Sequence, residues 1–251
     1  MCVDADAQPP IPSSGGATTR ALTLTAGDGT VFNAYEALAA DDPTEAAVVV
    51  LPDVRGLFPF YEGLAARLAE AGHDAVAIDY FGRTAGTEPR PADFPFMDHI
   101  AQTSSTGINS DIAAAVDHLR SRRGDAAVFT LGFCFGGACA WQATTHGMDL
   151  TGAIGFYGKP DSDRPAGDGP FLDRTGLVEG AILALMGGAD PSIPAETIEK
   201  LKGALGKAGV EHEVVTYPGA PHSFFDRKQE EFSAESADAW ERVLAFISSH
   251  S

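Results

Sequence analysis

In the stretch Thr130-Leu131-Gly132-Phe133-Cys134-Phe135-Gly136-Gly137, a cysteine sits among glycines where one secondary structure must give way to another. The apolar, partly β-branched run Ala126 to Leu131 reads as a buried strand, and Phe135 to Thr145, rich in Gly and Ala, continues as a helix. So sharp a strand-to-helix turn strains the backbone and crowds its neighbours, so glycines are needed around it. The turn lifts the thiol clear of the sheet edge. At a helix N-terminus, unpaired N–H groups favour a thiolate and can donate to a developing oxyanion. Cys134 therefore reads as a nucleophile, against the plainer alternative of a small buried hydrophobe after a core strand.

The rest of the chain alternates in a way that supplies a sheet for this turn. Ala21 to Thr25 and Val31 to Ala37, split by Gly27-Asp28-Gly29, predict an antiparallel hairpin with Asp-Gly turn chemistry. Ala46 to Leu51 is an unbroken apolar run, as expected for a strand buried on both faces. Further strands are predicted at Ala75 to Ile78, Gly152 to Phe156, Ala181 to Met186 and Glu213 to Tyr217. Between them lie helical patterns such as Phe60, Leu64, Leu68 and Ile108, Ile112, Ala115, Val116, Leu119, and the last helix carries Trp240, Val243, Leu244 and Ile247. Right-handed crossovers then give a doubly wound, mostly parallel sheet in one domain over residues 21–251. Residues 1–20, with three prolines and Ser13-Ser14-Gly15-Gly16, cannot bury enough surface to fold alone and are expected to form an arm lying on the domain.

Ligands of such sheets bind beyond the carboxyl ends of the strands. Those ends carry Asp53, Val54 and Arg55, then Asp79 to Arg83, the elbow, Gly188-Ala189-Asp190, and Ala220-Pro221-His222-Ser223-Phe224. Nucleophile, acid and histidine thus follow strands in the order Cys134, Asp190, His222. His222 would exchange the thiol proton and activate water, while Asp190 would fix its tautomer. Taken alone, Asp190 could be a turn or cap residue before the helix at Pro194, and His222 an ordinary loop histidine.

With these residues in place, the chain resembles the dienelactone hydrolase (carboxymethylenebutenolidase) family of α/β-hydrolases. The likeness runs from about Leu22 to the last helix and is carried by Gly132 to Gly137, Gly188-Ala189-Asp190 and His222-Ser223-Phe224. It implies an α/β-hydrolase fold, a Cys134–Asp190–His222 triad, an oxyanion hole from the backbone N–H groups of Phe135 and Val54, and a substrate carboxylate bound by Arg83. Two positions depart from the family pattern. Asp53 stands where the family has a thiol-activating glutamate, and Asp226 falls on a second family arginine, with Arg227 one position later. The expected activity is hydrolysis of a small anionic ester or lactone through a thioester acyl-enzyme, with Asp53 and Arg227 beside the substrate. The alternative is a thiol-sensing or non-catalytic module on the same fold.

A net charge of −18 argues against nucleic acid or an anionic membrane as partner, leaving a small-molecule substrate and a monomer or homodimer as expectations. Three cysteines, Cys2, Cys134 and Cys139, make no even framework, and no run approaches the ~20 apolar residues of a membrane span, so the cytoplasm is the expected compartment. No cofactor is expected: there is no dinucleotide glycine motif, and His99, His146 and His212 lack metal-ligand spacing. His73 reads as a solvated turn residue and Trp141 as a helix-to-sheet packing residue. The Pro-rich segment Gly82 to Gly107 has no firm periodicity and should fold over the site, with Phe94, Phe96 and Met97 as an apolar wall or a satellite core.

Overall fold

The computed structural model describes residues 8–40 and 46–251. Its eight strands are β1 (Thr18–Thr25), β2 (Val31–Leu38), β3 (Ala46–Leu51), β4 (Asp74–Ile78), β5 (Ala127–Phe133), β6 (Gly152–Phe156), β7 (Ala181–Gly187) and β8 (His212–Tyr217). They form one sheet in the order β1-β2-β4-β3-β5-β6-β7-β8. The hairpin β1–β2 is antiparallel, β2 joins β4 antiparallel, and all later pairings are parallel. This is the expected α/β-hydrolase arrangement. Helices α1 (Pro59–Glu70), α2 (Gly82–Ala85), α3 (Phe96–Ile100), α4 (Ser105–Arg123), α5 (Phe135–Ala143), α6 (Ala195–Ala208) and α7 (Ser233–His250) complete the fold.

Residues on β3 show why its sequence is uniformly apolar. Val48 and Val50 face the cluster built by Leu64 of α1, Leu201 of α6 and Val243 of α7, whereas Ala47, Val49 and Leu51 face Ile112 and Val116 of α4. With helices on both faces, neither set of side chains can be polar. Each valine is fully buried, which stabilises the fold by ~1.5–3 kcal/mol per side chain before entropy is counted. Trp141 is buried against the sheet, and its Nε1 donates to the carbonyl of Leu183 at 3.2 Å.

Register places the site. Leu51 of β3 pairs with Gly132 of β5, and Phe133 pairs with Phe156 of β6. The segments that follow, Pro52–Arg55 and Tyr157–Gly158, therefore flank Cys134 on its two sides. Gly187 of β7 pairs with Tyr217 of β8, which aligns the loops carrying Asp190 and His222.

Three expectations need revision. Gly82 to Gly107 is not structureless: α2 and α3 lie within it and α4 begins inside it at Ser105, capped by the Ser104 hydroxyl accepting from the Gly107 N–H. Elements of four or five residues are too short to show a period. His73 is buried rather than solvated, and burial lowers its pKa. Met97 is half exposed, while Phe94 and Phe96 line a cavity of about 740 Å³ with Leu57 and Phe58. Residues 8–17 run along the domain surface, where Ser13 and the Ser14 N–H bond Glu70, and Arg67 donates to the carbonyl of Ile11.

Candidate active site

Cys134 stands between β5 and α5 at φ 55°, ψ −115°, a region that L residues avoid. The glycines around it are dictated by contact. A Cβ on Gly132 would strike the carbonyl oxygen of Gly136, and one on Gly136 would strike those of Leu51 and Pro52. The Cys134 N–H donates to Phe156 O at 2.9 Å, anchoring the turn to β6. The first hydrogen bonds of α5 run from the N–H groups of Gly137 and Ala138 to Cys134 O, so the Phe135 N–H lies ahead of the intrahelical ladder. It is available in principle to an oxyanion. Val54 lies on the segment that follows β3.

The acid and the histidine meet through paired loops. The Gly188 N–H donates to Tyr217 O at 2.7 Å and the Ala189 N–H to Ala220 O at 2.9 Å. A Cβ on Gly187 would come within 2.6 Å of Ala220 O, so glycine permits this approach. Asp190 is 4% exposed; its Oδ2 lies 2.5 Å from His222 Nδ1, and its Oδ1 accepts from the N–H and hydroxyl of Ser192 at 2.8 and 2.6 Å. The aspartate therefore serves both the histidine and its own turn. With Nδ1 committed, Nε2 is left for the sulfur of Cys134. Burial opposes a charged imidazole, but the bonds to Asp190 and Cys134 outweigh it and raise the His222 pKa to about 10. Burial likewise works against the Asp190 carboxylate, and the His222 and Ser192 hydrogen bonds overcome it to hold its pKa below the usual range.

Cys139, on α5, is buried, and its thiol is pushed up by desolvation and then by the nearby Cys134. It is the inert cysteine of the two.

The sequence-derived binding residues are placed less uniformly. Asp53 is buried and held by Arg55, whose Nε and Nη2 reach its carboxylate at 3.0 and 2.5 Å. Arg83 is bonded to Asp28 of the hairpin turn, to Thr30, and to Asp111 of α4 at 2.7 Å. Its terminal nitrogens are thus engaged by protein carboxylates. Arg90, which sequence reasoning passed over, clamps the loop by pairing with Asp79 and lying 5.0 Å from both the Phe81 and Phe94 rings. Arg227 donates to the Ser223 hydroxyl at 2.8 Å and is 42% exposed, one turn past His222.

Tyr157 and Asp226 were also not recognised as site residues. Tyr157 directly follows β6, and its ring centroid lies 4.9 Å from that of His222. Its place at the carboxyl end of β6, the strand beside β5, is the sequence signal that marks it. Three of the four non-glycine residues at positive φ among those described, Cys134, Tyr157 and Ser223, gather here. Strain concentrates where geometry is held for function.

The sequence model of the dienelactone hydrolase family matches residues 32–251. The chain belongs to that family. It is a hydrolase of ester and lactone bonds. The carboxymethylenebutenolidase of Rhodococcus opacus is 29% identical over 253 residues, covering 98% of this chain and 96% of that one. A Klebsiella pneumoniae crystal structure titled "putative dienelactone hydrolase" superposes with a TM-score of 0.77 at 26% identity, covering 92% of this chain and 99% of the other. Among the described residues of this family member, no group of three or more His, Cys, Asp or Glu side chains is placed to hold a metal. None of its described helices is long and apolar enough to cross a membrane.

The His222 shift has a consequence for stability. Its folded pKa, about 10, lies above the ordinary 6.5, so the Asp190–His222 pair contributes fully below about pH 6.5 and is lost as pH rises through about 10. In urea titrations Asp190→Asn should be clearly less stable than wild type near pH 6, and the gap should narrow above about pH 10. A gap independent of pH would mean that the aspartate matters only for the Ser192 turn.

Proposed function

We propose that the chain hydrolyses a small carboxylate-bearing ester or lactone through a thioester on Cys134. The observation that carries this reading is the strained, helix-capping Cys134 with His222 beside its sulfur and Asp190 2.5 Å behind the imidazole. The cationic imidazole and the α5 N-terminus both favour a thiolate. The thiolate adds to the substrate carbonyl, and the Phe135 and Val54 N–H groups receive the oxyanion. Collapse breaks the ester C–O bond, and the departing alkoxide takes the Nε2 proton of His222. The now neutral His222 accepts a proton from water as its oxygen attacks the thioester, the thiolate leaves, and the starting ion pair is restored. Asp190 holds the tautomer throughout.

Arg227 is the candidate for the substrate carboxylate because it lies on the same loop as His222, with its side chain 42% exposed, whereas Arg83 bridges the hairpin turn and α4 through Asp28 and Asp111. Arg227→Ala should raise KM for carboxylate-bearing esters about tenfold, the size of one charged hydrogen bond, and leave neutral analogues near wild type. Equal losses on both substrate types would remove Arg227 as the anchor. Unpaired Cys134 and Cys139 support a reducing, cytoplasmic setting. The decisive experiment is mass spectrometry after trapping with a slow substrate: an acyl adduct on the Cys134 peptide supports the mechanism, and an adduct elsewhere overturns it.

A further inference from the structure

Behind the triad lies a buried polar group that the steps above do not use. Asp226 is 2% exposed; its Oδ1 accepts from the Arg227 N–H, and its Oδ2 has no hydrogen-bond partner among the described residues. Tyr157 is wholly buried, and its hydroxyl is likewise without one. The two interact nonetheless: after burial itself, Asp226 is the strongest influence on the Tyr157 phenol. An acceptor and a donor, each costly to bury unpaired, are thus left near one another next to the imidazole of His222.

Asp226 is surrounded by Asp53 and Arg55 from the segment after β3, Tyr61 from α1, Tyr157 after β6, and Arg227 on its own segment. Arg55 is committed to Asp53 by paired hydrogen bonds, so it leaves Asp226 incompletely neutralised. Burial, supported by the like charge of Asp53 and opposed by the Arg227 N–H, pushes the Asp226 carboxyl up to about 6.

We propose that Asp226 and Tyr157 act together as positioning residues for His222: the phenol donates to the Asp226 carboxylate, and that bond steadies the tyrosine ring against the imidazole. A small side-chain shift closes the bond when Asp226 is ionised. When Asp226 is protonated, the acceptor weakens and the ring loosens. The bonds to Asp190 and Cys134 hold the His222 pKa well above this range, so a step in Cys134 reactivity near pH 6 that Asp226→Asn removes belongs to Asp226 and not to the histidine. The idea rests on Cys134 being the nucleophile.

Two readouts keep the idea separable from that reading: kcat, and the rate of iodoacetamide alkylation with the labelled peptide identified. In the wild type both should rise severalfold as pH passes through about 6. Asp226→Asn keeps shape and an acceptor but cannot titrate, so its profile should be flat across this window. Asp53→Asn should move the step to lower pH by removing the like charge. Tyr157→Phe should lower kcat about fivefold with KM unchanged, the effect of losing one hydrogen bond, and adding Asp226→Asn should cost little more. A step near pH 6 that survives in Asp226→Asn, with the label still on Cys134, overturns the positioning role alone. Label on another cysteine overturns the nucleophile and this proposal with it.

Discussion

If Cys134 is the nucleophile as proposed, Cys134→Ala should abolish ester hydrolysis, with an expected loss on the order of 10⁶ in kcat, the scale reached when a catalytic nucleophile is removed from a cooperating triad. The size follows from how completely the surroundings are arranged for the sulfur. Positive φ at Cys134, Gly136 pressed on Leu51 and Pro52, and the Asp190–His222 bond all converge on one atom. In the proposed mechanism the three residues act as a unit, so Asp190→Asn placed on top of Cys134→Ala should cost little more. Steady-state assays on activated aryl esters and unsaturated lactones, run for the single and double variants, test both points. Turnover that persists in Cys134→Ala would assign the chemistry to another group, and additive losses would separate Asp190 from the histidine.

Arg83→Ala should destabilise the fold by about 3 kcal/mol in urea titrations, the usual cost of breaking a buried ion pair from one side. Asp111 is the reason. Its carboxylate is 1% exposed, and burial raises its pKa to about 6 even with the Arg83 hydrogen bond opposing that rise. A carboxyl whose folded pKa exceeds its unfolded value costs stability once pH passes the unfolded value, so removing the guanidinium extends that cost to higher pH. The variant should therefore lose more near pH 8 than near pH 5. Asp28, half exposed, contributes little to the difference. For the protein that remains folded, KM toward carboxylate substrates should stay close to wild type. A raised KM with unchanged stability would instead restore Arg83 as a substrate anchor.

Much of the molecule was legible in the chain itself. Alternating apolar runs and helical periods specified the hairpin and the parallel strands, because a strand buried on both faces has no room for polar residues. Gly-x-Cys-x-Gly located the elbow, since only glycine tolerates the backbone contacts that Gly132 and Gly136 make. The order Cys134, Asp190, His222, after β5, β7 and β8, was readable because parallel strands deliver their carboxyl ends to one edge.

Arg83, Asp53, Tyr157 and Asp226 were decided by tertiary structure. A motif places a residue on a loop but carries no information about which distant charge will reach it first. Asp111 reaches Arg83 from 28 residues away, and Asp28 from 55, so the guanidinium is taken by carboxylates that no local pattern connects to it. Arg55, two residues from Asp53, takes that carboxylate for itself. Tyr157 and Asp226 become neighbours only because β6 lies beside β5 and the loop after β8 folds back over their ends. The backbone pattern of a sheet is a local, repetitive property and survives in sequence; the pairing of buried charges is a property of the closed fold, where low dielectric makes each partner's position count.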